Sequence, residues 1–200
     1  MPRSAQTKLL LAQSLQQLMV TSPLEKISVN DIVDNAQVGR NTFYYHFEDK
    51  YDLVNWYFQT GVTRFLMDRS AYTDFETLLT ALEEYFRENR TFYMNALQYY
   101  GQNSLHDYIF DFLTSLYIQR ARDVLQENDP ATLNLLGHFL AGASLGVLMP
   151  WIHDGMKTHT EWNVELIEKL LHDGPRQVLF HDFKDVGHTP PTDSQNESTT

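Results

Sequence analysis

Cysteine is absent from the 200-residue sequence. Disulfide bonds and thiolate-bound zinc or iron–sulfur sites are therefore excluded, because each of them needs cysteine sulfur. No unbroken apolar run approaches the roughly 18 residues of a membrane-spanning helix. The first residues also lack the apolar segment of a secretory signal. These absences predict a cytoplasmic protein without a membrane span.

Basic side chains are also scarce. The sequence has 15 Lys and Arg against 26 Asp and Glu, a formal net charge of −11. A general polyanion binder needs an excess of Lys and Arg for its phosphate contacts, so this class is disfavoured. The deficit is uneven, because residues 1–60 hold five basic and six acidic side chains, and the other 140 residues hold ten and twenty. The N-terminal part is thus nearly neutral and repels DNA less than the rest of the chain does.

Motifs of metal sites and enzymes are missing as well. The eight histidines form no HxxxH or HExxH motif, and the nearest pair, His153 and His159, has no third ligand in sequence. Nucleophile elbows, P-loops and dinucleotide-binding glycine motifs are absent. We therefore expect no metal, no cofactor and no enzymatic activity.

Helical periodicity, in contrast, runs through nearly the whole chain. One stripe of apolar residues marks a first helix: Leu11, Leu15, Leu18 and Met19. Ser28 has the capping-box spacing to Asp31 and begins a second helix. Asp49 and Asp129 are placed to cap later helices, and Pro130 occupies the first position of the last of these.

The pattern predicts an all-α fold with an N-terminal three-helix domain and a larger helical domain. After a fourth helix from residue 50 to about 69, further helices are expected over 75–89, 92–100, 104–127, 130–154 and 160–173. The predicted divisions are a three-helix domain at 1–50, a larger helical domain at 51–174 and a C-terminal tail at 175–200. The end of the tail is polar and rich in Pro, Thr and Ser, which predicts disorder.

The first 50 residues have the order of a helix-turn-helix: a helix, a turn of three to four residues and a short helix. Phe43 and Phe47 bury one face of the short helix. The other face then presents hydrogen-bonding side chains suited to base edges and phosphates: Arg40, Asn41, Thr42, Tyr44 and Tyr45. An ordinary three-helix bundle with a solvated polar face has the same spacing. The spacing alone leaves both interpretations open.

The local sequence separates the two interpretations. Residues 36–53 read AQVGRNTFYYHFEDKYDL and resemble the DNA-binding domain of the TetR/AcrR family, whose usual form is IAxxAGVSxGTxYxHFxxKxxL. The resemblance covers about residues 7–54. Residues 142–148, GASLGVL, with Trp151 and Gly155, resemble the C-terminal domain of a TetR subgroup related to dihydroxyacetone-kinase operon regulators.

This resemblance implies a homodimeric transcription regulator of the repressor type. Residues 1–50 would then be the DNA-binding domain, and residues 51–174 the regulatory domain for dimerisation and ligand binding. It implies binding to a palindromic double-stranded DNA operator and a response to a small-molecule effector. Base or adjacent phosphate contacts are implied for Arg40, Asn41 and Thr42, and backbone contacts for Tyr44, His46 and Lys50. With Asn30 as a further base contact on the second helix, the expected DNA-binding residues are Asn30, Arg40, Asn41, Thr42, Tyr44, Tyr45, His46 and Lys50.

Two positions depart from the family pattern. Gln37 stands where the family has a turn glycine, and a non-glycine residue with positive φ costs about 1 kcal/mol. Gly39 replaces the usual capping serine and is a weaker N-cap. Together with the excess of acidic over basic side chains, these two departures support one alternative. In this alternative the chain is a TetR-like co-regulator that acts through a protein partner and does not read DNA itself.

Two further sites are expected beyond the helix-turn-helix. The aromatic-rich stretch 92–117 suggests an effector site with the residues Tyr93, Gln98, His106, Tyr108 and Phe112, and a packed core is the alternative. The helices at 130–154 and 160–173 suggest a dimer interface with the residues Leu140, Gly142, Leu145, Gly146, Leu166 and Leu170. Packing of the same residues within one chain is the alternative.

Overall fold

The computed structural model describes residues 3–68, 75–126 and 128–157, all of which lie in one compact unit, Met1–His159. These residues form α-helices and one 3-10 turn and contain no strand, so the all-α prediction is confirmed. The helices are α1 (Arg3–Met19), α2 (Val29–Asn35), α3 (Arg40–His46), α4 (Lys50–Asp68), α5 (Phe75–Glu88), α6 (Arg90–Ala96), α7 (Leu105–Leu125) and α8 (Pro130–His153). The helix expected at 160–173 and the tail at 175–200 lie outside the described residues.

The three predicted helix caps are all present. Ser28 and Asp31 form a reciprocal capping box at α2, and the hydrogen bond from Ser28 lowers the pKa of Asp31. Asp49 Oδ1 accepts hydrogen bonds from the second and third amides of α4, each at 2.8 Å. Asp129 Oδ2 accepts one from Thr132 N at 2.8 Å, with Pro130 in the first helical position. Local sequence therefore specifies where these helices begin.

The first three helices share a small apolar core with the start of α4. Leu11, Ile32, Phe43 and Leu53 are all 0% exposed. Leu18, predicted to lie in the buried stripe of α1, is only half-buried. The Lys8 ammonium lies over two rings at the junction of α3 and α4, those of Phe47 and Trp56 at 5.2 and 5.6 Å from the centroids.

The turn between α2 and α3 has the conformation expected of the family despite its missing glycine. Gln37 has φ = 55°, in the left-handed region, and the next residue, Val38, donates its N–H to Val33 O at 3.0 Å. The turn therefore keeps its geometry at the cost of about 1 kcal/mol for a side chain at positive φ. Gly39 is the N-cap of α3 and provides no side-chain cap.

The larger group of helices, α4 to α8, packs around aromatic side chains. The rings of Tyr85, Phe86 and Tyr93 lie within 6.3 Å of the Phe58 ring, centroid to centroid. Gly61 on α4 admits Tyr85, because a Cβ at this position would lie 2.3 Å from Tyr85 Oη. Large side chains thus fill the space between α4, α5 and α6.

Helices α7 and α8 pack closely along their length. At Gly137 a Cβ would lie 2.7 Å from Ile118 Cγ1, so this glycine allows the close approach. Deeper in the contact, the hydroxyls of Tyr117 and Ser144 share a buried hydrogen bond of 2.7 Å. Gly137 therefore allows helix packing within the chain. The sequence alone did not distinguish this glycine from the other glycines of α8.

Helix α8 is the most apolar described helix. Its 24 residues have a mean hydropathy of 1.6 in their most apolar window. By length and composition the helix would therefore suit a membrane span, contrary to the expectation from the sequence. Only 44% of that window is buried. Part of the remainder is a row of exposed residues that we call the α8 stripe: Leu135, Phe139, Gly142 and Gly146.

Candidate nucleic-acid interface

Helix α3 presents polar and aromatic side chains on one side and is anchored on the other. Phe43 is fully buried, whereas Tyr45 is 83% exposed. Arg40, Asn41 and Tyr44 are also exposed on the same outer face. A short helix of this kind, held by a buried aromatic ring, can offer hydrogen-bonding groups to a groove without moving its backbone.

The Arg40 side chain is held against its own helix. Its Nη2 donates a hydrogen bond to Tyr44 Oη at 3.2 Å, and its guanidinium carbon lies 5.5 Å from the Tyr44 ring centroid. This contact reduces the number of rotamers that Arg40 populates before it meets a ligand. Less side-chain entropy is then lost on binding.

The other predicted DNA-binding residues differ in accessibility. Asn30 on α2 is exposed, whereas Thr42 and His46 are half-buried on α3. The His46 ring lies edge-on to the Tyr45 ring at 4.9 Å. Seven of the eight predicted residues therefore lie on α2 and α3, with four of them exposed on the outer face of α3.

The contacts of Lys50 differ from those of the DNA-backbone-contacting residue that the resemblance implied. Its Nζ donates hydrogen bonds to three backbone carbonyls between α1 and α2, Leu24 O at 2.7 Å, Glu25 O at 2.9 Å and Ile27 O at 2.7 Å. Burial lowers the pKa of the Lys50 ammonium, and nearby carboxylates partly oppose this shift. Since an ammonium group has three protons, these carbonyls use all of its donors.

A Lys50→Met variant should therefore lose stability more than phosphate affinity. Methionine keeps most of the aliphatic stem but leaves three carbonyls without a donor, which should lower the free energy of unfolding by about 1–3 kcal/mol. The salt dependence of DNA binding should stay as in the wild type. Chemical denaturation and a salt titration of DNA affinity measure the two effects.

The matched control is Lys26→Met, on an exposed lysine of the same segment. It should leave stability within about 0.5 kcal/mol of the wild type. A different result, unchanged stability for Lys50→Met with a salt slope smaller by about 1 per lost contact, would instead assign Lys50 to phosphate.

The five predicted effector residues do not form one group. Tyr93, Tyr108 and Phe112 surround Phe58, with ring centroids at 6.2, 6.2 and 5.5 Å. Tyr93 is 0% exposed and hydrogen-bonds to Tyr85, and burial raises its pKa far above the usual range. Tyr93 is therefore a core residue, which favours the packed-core alternative at this position.

Gln98 and His106 lie away from that aromatic cluster. Gln98 is exposed, and the ring of His106 pairs with the adjacent Asp107 at 3.2 Å. The hydrogen bond from His106 is the main cause of a lowered pKa at Asp107. Their positions near the surface differ from the enclosed site expected from the sequence.

Two polar groups that sequence reasoning missed are buried among these helices. In the described part of the chain, Asn55 Oδ1 and Thr114 Oγ1 have no hydrogen-bond partner, and both residues are 8% exposed. The amide nitrogen of Asn55 donates to Asn103 O at 3.3 Å. Buried polar atoms without partners are costly, so they are unusual in a core. No sequence pattern distinguishes these two residues from other helical polar residues.

The histidines considered as metal ligands have other surroundings. His153 Nε2 lies 3.0 Å from Tyr100 Oη at the end of α8, and His159 lies outside the described residues. Among the residues that the structure covers, no three His, Asp or Glu side chains come together in a way that could hold a metal ion.

The predicted dimer residues fall into three groups. Gly142 and Gly146 are exposed, with no atom within 4 Å of a Cβ built on either. Leu140 is half-buried, but Leu145 is 4% exposed and packs inside the chain, which favours the alternative of packing within one chain at this position. Leu166 and Leu170 lie outside the described residues. Leu135 and Phe139, which are not among the predicted residues, are 71% and 59% exposed.

Two family models match the chain. Residues 16–56 match the model described as bacterial regulatory proteins of the tetR family. Residues 73–173 match a model described as a transcriptional regulator C-terminal region. Both descriptions are of transcriptional regulators and neither is of an enzyme. The N-terminal match contains the whole of α2 and α3, and thus the candidate interface.

A curated relative supports the same assignment. The HTH-type dhaKLM operon transcriptional activator DhaS of Lactococcus lactis is 32% identical over 93 residues, which are 46% of this chain and 50% of that protein. The aligned region therefore spans about half the length of this relative.

Solved structures share the fold. The dihydroxyacetone kinase operon activator DhaS superposes with a TM-score of 0.59 at 20% identity, covering 84% of this chain and 95% of its own. NalD of Pseudomonas aeruginosa, a repressor of a multidrug efflux pump, superposes with a TM-score of 0.52 at 15% identity, covering 85% and 97%. With family models over both the N-terminal and the C-terminal helices, the chain belongs to the TetR family of bacterial transcriptional regulators.

Proposed function

We propose that the chain regulates transcription as a homodimer that binds a palindromic double-stranded DNA operator. The exposed outer face of α3, fixed from behind by the buried Phe43, is the observation that carries this proposal. Each α3 enters the major groove of one half-site, as helix-turn-helix dimers do. Arg40, Asn41 and Thr42 contact bases or the nearest phosphates, and Tyr44, Tyr45 and His46 contact the backbone or the groove edge. Asn30 adds a contact from α2.

The acidic balance of the chain is compatible with this function. Sequence-specific binding depends on hydrogen bonds to base edges as well as on charge, and the outer face of α3 is rich in donors and acceptors. A modest number of phosphate contacts predicts weak binding to random DNA and a shallow salt dependence. Specificity then comes chiefly from contacts to bases.

The α8 stripe supports the dimer. Leu135 and Phe139 expose large apolar surfaces, and the two glycines leave space for a second helix to approach closely. A two-fold axis beside α8 would bring two such stripes together and bury them. In this proposal residues 1–50 form the DNA-binding domain, residues 51–174 form the regulatory and dimerisation domain, and the protein acts in the cytoplasm.

A small-molecule effector completes the proposal. The partnerless atoms Asn55 Oδ1 and Thr114 Oγ1 support a polar ligand among α4 and α7, because a ligand could satisfy them. The effector would favour one spacing of the two DNA-binding domains and thereby change operator occupancy. The proposed outcome is repression of transcription. Among the similar proteins, NalD is described as a repressor and DhaS as an activator. A promoter–reporter assay with and without the gene decides the sign.

The test is a salt titration of DNA binding. The probe is the duplex flanking the chain's own gene, compared with a scrambled duplex. Arg40→Ala and Asn41→Ala should reduce discrimination between the two DNAs by about 1–3 kcal/mol per lost base contact. Tyr44→Phe should weaken binding by about 1 kcal/mol per site with little change in the salt slope.

The control is Gln102→Ala, on an exposed side chain between α6 and α7. It should bind both duplexes as the wild type does. If the wild type binds both duplexes equally and weakly, the DNA-reading proposal fails, and the co-regulator that acts through a protein partner becomes the better interpretation.

A further inference from the structure

The segment between α1 and α2, residues 19–27, is attached to the regulatory helices by one side chain of α6. Asn95 Oδ1 accepts a hydrogen bond from Leu24 N at 2.8 Å. Its Nδ2 donates to Met19 O at 3.0 Å and to Ser22 O at 2.8 Å. We call residues 19–27 the connector. A single amide thus satisfies three backbone groups of the connector at ordinary hydrogen-bond distances.

The opposite side of the connector is held by α4. Lys50 donates to the carbonyls of Leu24, Glu25 and Ile27. Leu24 therefore has its N–H bound by α6 and its carbonyl bound by α4, and its side chain is 2% exposed. The connector is therefore held by hydrogen bonds from two helices at once, α4 and α6.

A second polar link joins α6 to α1 through α4. Gln16 Nε2 donates to Tyr57 Oη at 2.6 Å, and Tyr57 Oη donates to Asn89 Oδ1 at 3.1 Å. Asn89 is the N-cap residue of α6. The next residue, Arg90, donates from Nε to Gly155 O at 2.9 Å, just beyond the end of α8. The short α6 is thereby bonded at its beginning to the turn after α8 and, through Tyr57, to α1. Near its end it is bonded to the connector.

We propose that Asn95 is the positioning residue that fixes the DNA-binding helices relative to the regulatory helices, so that α6 sets the spacing of the two α3 helices in the dimer. The inference rests on the proposed function, because spacing matters only if two half-sites are bound together. Half-sites lie about 34 Å apart or at multiples of this distance, and a dimer with rigidly held α3 helices discriminates against other spacings. Asn95 itself does not touch DNA. Its three bonds determine where α3 lies.

Asn95→Asp tests this role with little change in shape. The carboxylate can still accept from Leu24 N, but an oxygen replaces the donor that faces Met19 O and Ser22 O. Two hydrogen bonds become two repulsive contacts, which should detach the connector from α6. Gln102→Glu is the matched control, because it adds the same charge to an exposed side chain that takes no part in the connector.

A second variant tests the positioning by α6 without adding a charge. Tyr57→Phe removes both hydrogen bonds of the Gln16–Tyr57–Asn89 link, and the phenyl ring keeps its edge-on contact with Phe92 at 4.8 Å. Both variants are made in the full chain. Footprinting with the wild type on the duplex flanking its own gene defines the half-sites. Affinity is then measured for that duplex, for copies with one or two base pairs inserted between half-sites, and for scrambled DNA.

The wild type should bind the natural spacing much more tightly than the altered spacings. Asn95→Asp should weaken binding to the natural spacing by about five- to tenfold, the lower range of ordinary coupling between sites. Its preference for natural over altered spacing should fall towards one. Scrambled-DNA affinity and molecular mass should match those of Gln102→Glu, and Tyr57→Phe should show a smaller loss of spacing preference.

The spacing preference separates positioning from a purely structural role. If Asn95→Asp and Tyr57→Phe only lower the unfolding temperature and keep the wild-type spacing preference, Asn95 is a structural residue and the inference is wrong. If Asn95→Asp does not fold, Tyr57→Phe tests the positioning by α6 through its other link, and an unaltered spacing preference then contradicts the inference. If the wild type does not distinguish its own flanking duplex from scrambled DNA, the proposed function is contradicted. An unaltered spacing preference in the variants contradicts only the role of Asn95, so the two failures are distinguishable.

Discussion

Phe43→Ala should lower the free energy of unfolding by about 3–5 kcal/mol, the largest loss expected for a single side chain of the first three helices. Phe43 is 0% exposed, and its ring packs against Phe47 at 5.8 Å and Tyr44 at 5.5 Å. Helix α3 has only seven residues, so its stability depends on this packing and not on its own hydrogen bonds. Urea denaturation followed by circular dichroism measures the loss.

Tyr45→Ala is the matched control on the opposite face of the same helix. Because Tyr45 is 83% exposed, its removal should change stability by no more than about 0.5 kcal/mol. Operator affinity should nevertheless fall, since Tyr45 lies on the proposed DNA-facing surface. Phe43→Ala should lose DNA binding only in proportion to the unfolded fraction. Equal stability losses for the two variants would contradict the orientation of α3.

Phe139→Glu should convert the proposed dimer into monomers at micromolar concentration. Phe139 is 59% exposed in the single chain and lies in the middle of the α8 stripe. In a two-fold interface each substitution buries one unpaired carboxylate per protomer, at a cost of several kcal/mol. About 3 kcal/mol already weakens dimerisation by about a hundredfold. Sedimentation equilibrium of the wild type and the variant measures the effect directly.

Two controls accompany this prediction. Phe139→Leu keeps an apolar side chain in the stripe and should remain dimeric. Gln59→Glu adds the same charge to an exposed position of α4 and should also remain dimeric. A wild type with monomeric mass at micromolar concentration, or a Phe139→Glu variant that stays dimeric, would remove the α8 stripe from the interface. Operator binding by Phe139→Glu should fall together with dimer formation, because one half-site alone binds weakly.

The helices and their beginnings follow from short-range sequence patterns. The capping box at Ser28, the caps at Asp49 and Asp129, and the spacing of Phe43 and Phe47 each depend on residues within four positions of one another. Their outcome in the structure agrees with expectation, because hydrogen bonds and apolar contacts over one helical turn are decided by local geometry. The outward placement of Asn41 and Tyr45 follows in the same way.

The roles of several side chains depended on contacts that no local pattern encodes. Lys50 contacts carbonyls 23–26 residues earlier, and Asn95 contacts backbone groups 71–76 residues earlier. Periodicity predicts which face of a helix is apolar, but it does not predict which neighbour covers that face. Leu145 and Phe139 both lie on α8, and only the packing of α7 against α8 buried the first and left the second exposed. The sequence by itself therefore determined most of the helices, the turn between α2 and α3 and which side chains of α3 are exposed. The tertiary structure decided which polar side chains join the first three helices to the larger group of helices. The reason is that hydrogen-bond partners distant in sequence come together only when the helices pack.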